Sequence, residues 1–318
     1  MYKIGIDLGG TNIAAGIVDE NHNIVIKGSI PTKAEREAEE IIKDMGNLCR
    51  DLLKKVNLTE NEIEYAGIAA PGSVNKDLGT VEYANNLPFL KFPIAKTLKK
   101  YLDVKKVYVE NDANAAAKGE AAAGAAKGCD HAVMITLGTG LGGGVIIDKK
   151  VYSGFNYAGA ELGHIVIEYN GRQCTCGRKG CWEAYSSATG LISLTKDKLK
   201  ITKKEDTIMH KMVEENGGEV SGKTAFAAAR ENDKAGREVV DEYISYLACG
   251  ITNIINIFQP EVLCIGGGVC KEGEYLTKPL IDIVNKDQYT RNNEIKTQIK
   301  IAVLGNDAGI IGAAVLGE

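Results

Sequence analysis

The sequence predicts an α/β fold in which two similar domains face each other across a cleft. Its 318 residues are enough for two domains of ordinary size, each able to bury a core of its own. Both halves open with a short apolar strand, a glycine-rich turn and a second strand, and both then mix helices with buried strands. A pattern that restarts near the middle of a chain indicates a repeated structural unit.

The first half is predicted to contain five strands and two helices. Apolar side chains recur three and four residues apart from Ile41 to Val56, which is typical of an amphipathic helix. The alanine-rich segment from Asp112 to Ala126 predicts the second helix. The strands are the short apolar runs 2–7, 13–18, 24–30, 63–70 and 104–109, and Pro71-Gly72 stops the fourth of them.

The second half repeats this opening, with two strands separated by a run of glycines, and a long apolar helix follows and ends before Pro260. Its predicted elements are strands at 131–137, 145–148, 261–265 and 299–304 and helices at 236–257 and 307–316. The polar segment 196–223 is interpreted as solvated helix and loop. We expect a small domain of residues 1–112 with the C-terminal helix 305–318, and a large domain of residues 113–304.

Charge and composition exclude several classes of protein. The 38 basic and 42 acidic residues give a net charge of -4, whereas a free-standing nucleic-acid binder is usually basic. No run of about 18 apolar residues could span a bilayer, and the start, MYKIGIDLGG, lacks the pattern of a secretion signal. We therefore expect a cytoplasmic protein with neither nucleic acid nor membrane as a partner.

Glycine, at 37 residues, is enriched over its average share of about 7%. In Asp7-Leu8-Gly9-Gly10-Thr11, glycines between two strands let backbone N–H groups approach a phosphate, Thr11 adds a donor, and Asp7 can hold a metal ion or its water. A plain hairpin turn would explain the glycines but neither flanking residue. Gly138-Thr139-Gly140 repeats this chemistry, so the two turns together could grip a polyphosphate tail. Gly266-Gly267-Gly268 follows a strand and fits a nucleotide base and ribose, although a tight turn needs glycines anyway.

Two formal motif matches are rejected on their context. Residues 217–224 (GGEVSGKT) fit the phosphate-binding loop pattern, but the polar segment before them predicts a helix where that loop requires a buried strand. Gly138, Gly140 and Gly143 fit the dinucleotide fingerprint, which must open a helix, whereas a strand is predicted to follow them.

The acidic segment Glu110-Asn111-Asp112-Ala113-Asn114 lies where a predicted strand ends and a helix begins. Ligands of α/β folds bind at the ends of buried strands, which gives Asp112 a possible place in the cleft. The ordinary role of an aspartate here is to cap the helix. Either Asn111 or Asp112 can cap it while the other faces the cleft, and the sequence does not decide between them.

The strongest single motif is a metal-binding pattern. His164, Cys174, Cys176 and Cys181 follow the spacing H-x9-C-x-C-x4-C in a glycine-rich segment. One imidazole and three thiolates predict a tetrahedral, structural zinc site rather than buried free cysteines. Glu161 and Glu183 flank the motif, so the metal would hold two carboxylates and an imidazole together. The other cysteines fall mostly in apolar segments and are expected to lie in the core.

At these residues the chain resembles the ROK family (repressors, open reading frames, kinases), and most closely its glucokinases. The resemblance extends over essentially the whole length. The motifs that carry it are Asp7-Leu8-Gly9-Gly10-Thr11, Pro71-Gly72, Glu110-Asn111-Asp112-Ala113-Asn114, Gly138-Thr139-Gly140, Glu161-x-x-His164, the cysteine motif with Glu183, and Gly266-Gly267-Gly268. The zinc motif with its glutamates is specific to this family, while the glycine turns are shared with the wider actin-like (ribonuclease H-like) ATPases.

The resemblance implies an ATP-dependent sugar kinase that phosphorylates the 6-hydroxyl of glucose with Mg²⁺ and carries a structural Zn²⁺. Asp112 would be the catalytic base. His164 would bind zinc through one ring nitrogen and face the sugar with the other. The sugar would be held by Asn111, Asp112, Glu161, His164 and Glu183. The nucleotide would be bound by Asp7, Gly9, Gly10, Thr11, Asn12, Gly138, Thr139, Gly140, Gly266, Gly267 and Gly268.

Some properties stay open at this stage. Asn12 departs from the lysine that many relatives carry. The sugar could instead be N-acetylmannosamine, fructose or allose, although 181–191 (CWEAYSSATGL) resembles the glucokinase branch. A DNA-binding repressor of the family would carry an N-terminal helix-turn-helix domain, which we do not expect because the first strand begins at Tyr2. A non-catalytic actin-like chaperone or filament protein is disfavoured by the sugar-site residues and the zinc cluster. The donor could be ATP or polyphosphate, and we expect a homodimer or a higher homo-oligomer.

Overall fold

The computed structural model describes residues 1–318. The elements of the first half are β1 (Tyr2–Leu8), β2 (Asn12–Val18), β3 (Ile24–Pro31), α1 (Ala38–Lys55), β4 (Ile63–Ala70), β5 (Ser73–Asn75), β6 (Thr80–Tyr83), β7 (Leu90–Phe92), α2 (Ile94–Leu98) and β8 (Val107–Asn111). Five of the strands form a sheet in the order β3-β2-β1-β4-β8, in which β4 and β8 run parallel to β1 and the first three strands are antiparallel. The short strands β5, β6 and β7 form a separate three-stranded sheet.

The second half builds a second sheet of the same design, in the order β11-β10-β9-β12-β13. Its outer three strands are again antiparallel, and β12 and β13 run parallel to β9. The elements are α3 (Asp112–Ala123), β9 (Ala132–Leu137), β10 (Leu141–Ile147), β11 (Lys150–Val151), α4 (Glu183–Ser186), α5 (Ala188–Ile201), α6 (Met209–Glu215), α7 (Thr224–Arg230), α8 (Lys234–Phe258), β12 (Val262–Gly266), α9 (Glu274–Asp287), β13 (Gln298–Ile301) and α10 (Ala308–Ala314). The internal repeat predicted from the glycine turns is therefore present in the topology.

Each sheet has a hydrophobic core of its own. The first core packs α1 and the three-stranded sheet against the first large sheet, with Ile41 and Phe89 among its buried side chains. The second packs α8 against the second sheet around Trp182 and Tyr243. Gly250 on α8 makes room for Trp182, because a Cβ there would lie 1.9 Å from the indole ring. The two large sheets are therefore each supported by a separate core.

One predicted turn is shorter than expected. The glycines 142–144 were expected in a loop before a strand at 145–148, but they belong to β10, which begins at Leu141. The reason is packing: a Cβ on Gly144 would lie 2.6 Å from the Cβ of Ala117 and 2.7 Å from the carbonyl oxygen of Ala113. Gly144 therefore lets α3 lie close across the strand, and Gly143 makes room for Leu162, from which a Cβ would lie 2.7 Å. The hairpin turn itself contains only Gly138-Thr139-Gly140.

The C-terminal helix α10 packs against β1, β4 and α3. The contact is close because glycines face it: a Cβ on Gly5 would lie 1.9 Å from the carbonyl oxygen of Ile310, and one on Gly312 would lie 1.7 Å from that of Ala115. The helix thus lies on the sheet of the first half while touching the helix that leads into the second. The predicted domain boundaries, 1–112 with 305–318 and 113–304, stay a prediction.

The structural context rejects both formal motif matches, as predicted. Helix α6, not a strand, precedes the segment 217–224. The glycines of the apparent dinucleotide fingerprint open strand β10, which pairs antiparallel with β9. None of the helices is both long and apolar enough to cross a membrane.

Candidate active site

A cleft of about 910 Å³ is lined by residues from both halves of the chain. Its walls come from the end of β1, the start of α3, the β9–β10 turn, the segment after β12 and the start of α10. Ten of the predicted site residues line it, namely Asp7, Asp112, Gly138, Gly140, Glu161, His164, Glu183, Gly266, Gly267 and Gly268. Residues separated by more than 250 positions in sequence are thereby brought to one cleft.

The structure decides which residue caps α3. The side-chain oxygen of Asn111 accepts hydrogen bonds from the backbone N–H groups of Ala113 and Asn114, at 3.0 and 3.2 Å, so Asn111 is the N-cap. Its amide nitrogen donates to the carbonyl oxygen of Gly72 at 3.1 Å. Asn111 itself is not among the cleft-lining residues. Asp112 stands one residue further and lines the cleft, and its Oδ1 also accepts a hydrogen bond of 2.8 Å from the Ala113 N–H.

The cleft concentrates negative charge. Four carboxylates line it, those of Asp7, Asp112, Glu161 and Glu183, together with a single lysine, Lys271. Burial, reinforced by the nearby charge of Asp112, raises the pKa of Asp7 to about 6. Burial also raises the pKa values of Asp112 and Glu161, and for Glu161 the neighbouring charge of His164 acts in the other direction. Acidic groups that repel one another in this way provide a place for a divalent cation or for a proton.

The four predicted metal ligands converge. The ligand atoms of His164, Cys174, Cys176 and Cys181 all lie within 4.8 Å of one another. The Sγ atoms of Cys176 and Cys181 are 3.7 Å apart, and Nδ1 of His164 is 3.7 Å from Sγ of Cys174. Tetrahedral zinc with Zn–S bonds of about 2.3 Å requires S···S separations of roughly 3.8 Å, so the donor set and its spacing fit that ion.

Glu183 connects this cluster to a glycine turn. The residue begins α4, and its Oε2 accepts a hydrogen bond of 2.9 Å from the backbone N–H of Leu141. Its Oε1 lies 3.4 Å from the hydroxyl of Thr175, which is within the cysteine loop. A Cβ on Gly140 would lie 2.5 Å from this carboxylate. The metal-binding loop and the β9–β10 turn are thus held together by one side chain.

Several predicted nucleotide-binding residues do not line the cleft. The first glycine turn closes through a hydrogen bond of 2.9 Å from the Gly9 N–H to the carbonyl oxygen of Asn12, and the Thr32 hydroxyl donates to the Gly9 carbonyl oxygen at 2.7 Å. Gly10, Thr11 and Asn12 are exposed. Thr139 also lies outside the lining residues, and its carbonyl oxygen accepts from Thr189 at 2.7 Å. Their contact with phosphate stays a prediction.

Other residues line the cleft that the sequence analysis did not single out. Lys271 follows the Gly266-Gly267-Gly268 turn by three residues, and this position after a strand-ending glycine turn was the one signal available for it. Asn306 lies just before α10 and Gly309 lies in its first turn, and neither carries a local motif. A Cβ on Gly309 would lie 2.5 Å from Oδ2 of Asp7, so this glycine lets α10 approach that carboxylate.

The sequence profile of the ROK family matches residues 3–318. The chain is 37% identical to a glucokinase of Thermotoga maritima, over 98% of this chain and 95% of that protein. Its fold matches a ROK family glucokinase of Streptomyces griseus, solved with glucose and AMPPNP, at 33% identity and a TM-score of 0.78, covering 99% of both chains. It also matches a ROK hexokinase of Thermus thermophilus at 28% identity and a TM-score of 0.82, covering 99% and 97%. The chain therefore has the actin-like fold that was predicted and belongs to the ROK family.

Proposed function

We propose that this protein is a glucokinase, which transfers the γ-phosphoryl group of ATP to the 6-hydroxyl of glucose. The observation that carries the proposal is that Asp112, Glu161 and His164 share one cleft with the glycine turns at 138–140 and 266–268. The near-full-length similarity to glucokinases, and to a structure solved with glucose and an ATP analogue, supports both the sugar and the donor. An acceptor site and a phosphate site must adjoin in a kinase, because phosphoryl transfer depends mainly on alignment and charge neutralisation.

Asp112 is the proposed base. Asn111 caps α3, and the Ala113 N–H also donates to Oδ1 of Asp112, so Oδ2 of Asp112 is the oxygen left to accept the proton of the 6-hydroxyl as that hydroxyl oxygen attacks the γ-phosphorus. Burial raises its pKa, which makes it a better proton acceptor than a solvated aspartate. The sugar hydroxyls are assigned to Asn111, Asp112, Glu161, His164 and Glu183, as the family resemblance implies.

The nucleotide end of the cleft is assigned to the glycine segments and Asp7. Asp7 would hold Mg²⁺, directly or through a water, and Mg²⁺ when bound neutralises charge on the phosphates. The backbone N–H groups of 9–12 and 138–140 are proposed to contact the phosphates, and 266–268 to contact the base and ribose. Closure of the two halves on the sugar would exclude water and so limit wasteful ATP hydrolysis.

We also propose a structural zinc ion at His164, Cys174, Cys176 and Cys181. The convergence of their ligand atoms and the 3.7 Å separation of two sulfurs support it. Ligation by Nδ1 of His164, the nitrogen nearest Cys174, would leave Nε2 for the sugar. The ion would fix the loop that ends at Glu183.

A coupled assay tests the function. The purified protein is offered glucose, mannose, fructose, allose and N-acetylmannosamine, each with ATP or polyphosphate. We expect glucose with ATP to give the highest kcat/KM. Activity confined to N-acetylmannosamine, fructose or allose would favour the alternative kinases, and equal rates on all sugars would contradict the specific assignment. Light scattering of the same sample tests the predicted homodimer or higher oligomer.

A further inference from the structure

One side-chain hydrogen bond joins the first half of the chain to the loop that leads to Glu161. The hydroxyl of Tyr157 donates a hydrogen bond to Oδ2 of Asp77, with 2.5 Å between the two oxygens. No other side-chain hydrogen bond or ion pair connects residues 1–111 with residues 115–304. Because no second polar side-chain contact connects these ranges, this hydrogen bond can affect how closely the two halves approach each other.

Each partner is anchored to a different core. Asp77 lies in the turn between β5 and β6, whose Val74 and Val81 are buried in the first core. Tyr157 lies in the loop between β11 and Glu161, and Leu162, the next residue after Glu161, is buried in the second core. The hydrogen bond therefore connects two surface segments, each of which is attached to a different core.

The loop that carries Tyr157 has an unusual backbone. Tyr157 and Ala160 both have positive φ, at 63° and 64°, a conformation that residues with a Cβ rarely adopt. Such residues persist where their surroundings hold them. Within the loop, the Gly159 N–H donates to the carbonyl oxygen of Ser153 at 2.9 Å, which closes it. The loop delivers Glu161 to the cleft four residues after Tyr157.

We propose that Tyr157 and Asp77 are positioning residues that clasp the two halves together on the sugar side of the cleft, so that Glu161 is held against the bound sugar. The inference rests on the proposed glucokinase function for the identity of the ligand. Tyr157 neighbours Glu161 in sequence and none of the nucleotide turns. The clasp therefore acts on sugar affinity and leaves ATP affinity unchanged.

Conservative variants test the clasp. Tyr157→Phe removes only the hydroxyl, Asp77→Ala removes the acceptor, and Asp77→Asn keeps an acceptor oxygen. We expect the first two to raise the KM for glucose about 3- to 10-fold, as the loss of one solvent-exposed hydrogen bond would. The KM for ATP should change less than about twofold. The KM for glucose of Asp77→Asn should lie nearer that of the wild type than the KM of Asp77→Ala does. In the double variant Tyr157→Phe/Asp77→Ala, the KM for glucose should be no higher than in either single variant. Tyr289→Phe is the matched control, because that tyrosine is exposed and its hydroxyl makes no hydrogen bond.

A glucose KM in Tyr157→Phe that equals that of Tyr289→Phe would overturn the clasp, as would an equal rise in the KM values for glucose and ATP. Hydrogen exchange of the ligand-free protein separates this failure from a failure of the proposed function. If the contact holds both segments, Tyr157→Phe raises amide exchange in 73–83 and in 152–162 whether or not the wild type phosphorylates glucose. Unchanged exchange in both segments would refute the clasp even in an active glucokinase.

Discussion

Replacing Asp112 by asparagine separates catalysis from folding and binding. The change keeps the shape of the side chain and removes its ability to accept a proton. The helix cap is kept, because Asn111 accepts from the N–H groups of Ala113 and Asn114, and an asparagine side chain at position 112 retains an oxygen for the second hydrogen bond from the Ala113 N–H. We therefore expect no loss in the free energy of unfolding at pH 7, and a modest gain, because burial disfavours the charged carboxylate that the change removes.

The expected effect on turnover is large. A positioned general base contributes about 10²- to 10⁴-fold, which corresponds to roughly 3–5 kcal/mol of the activation barrier. The wild type should lose activity as pH falls, because the base must be ionised. Since burial raises the pKa of Asp112, that loss should begin at a higher pH than for a solvated aspartate. The residual activity of Asp112→Asn should not show this loss of activity at low pH.

The assay is steady-state kinetics from pH 4.5 to 8, with calorimetry for glucose binding and urea unfolding on the same samples. We expect kcat to fall at least about 100-fold while glucose affinity stays within about fivefold. Turnover within tenfold of the wild type would refute the assignment of the base. A large loss of stability would refute the argument that the Asn111 cap survives the change.

Three further changes test other parts of the site. Wild-type protein should hold one zinc ion per chain, and Cys176→Ser should lower both the zinc content and the melting temperature. Wild-type protein without zinc, or a variant that folds as the wild type does, would contradict the metal site. Because the pKa of Asp7 is raised to about 6 in the folded state, the wild type should lose stability as pH rises from 4 to 6. In Mg²⁺-free buffer at pH 7, Asp7→Asn should therefore be more stable than the wild type by about 1–3 kcal/mol. Equal pH dependence of unfolding in both proteins would contradict this. The Asp7→Asn variant should also be inactive. Lys271→Met removes the one lysine that lines the cleft and should raise the KM for ATP about 3- to 30-fold with little change in the KM for glucose. The control Lys278→Met, on α9, should change neither KM.

Most elements of the fold follow from local pattern. The three- and four-residue spacing from Ile41 to Val56 corresponds to α1 (Ala38–Lys55), and the apolar run 63–70 corresponds to β4. The glycines 142–144 belong to β10 for a reason that is not local: Gly144 makes room for α3, which packs across β10, and Gly143 makes room for Leu162. A glycine demanded by close packing and one demanded by a turn look the same in a sequence.

The site divides in the same way. The zinc cluster was predictable because its four ligands lie within 18 residues and the donor types define the ion. The roles of Asn111 and Asp112 were open until the backbone geometry of α3 was known. Lys271 and Gly309 enter the cleft only because the chain returns β12 and α10 to it, and the Tyr157–Asp77 contact joins residues 80 positions apart. Such long-range placements have no local pattern to reveal them.

The most direct test of the central claim is to identify the product. Purified protein, glucose, ATP and Mg²⁺ are followed by ³¹P and ¹³C NMR. The account predicts glucose 6-phosphate as the sole sugar phosphate, formed in equal amount with ADP and greatly slowed in Asp112→Asn. Phosphate on another carbon, or ADP formed without any sugar phosphate, would contradict it.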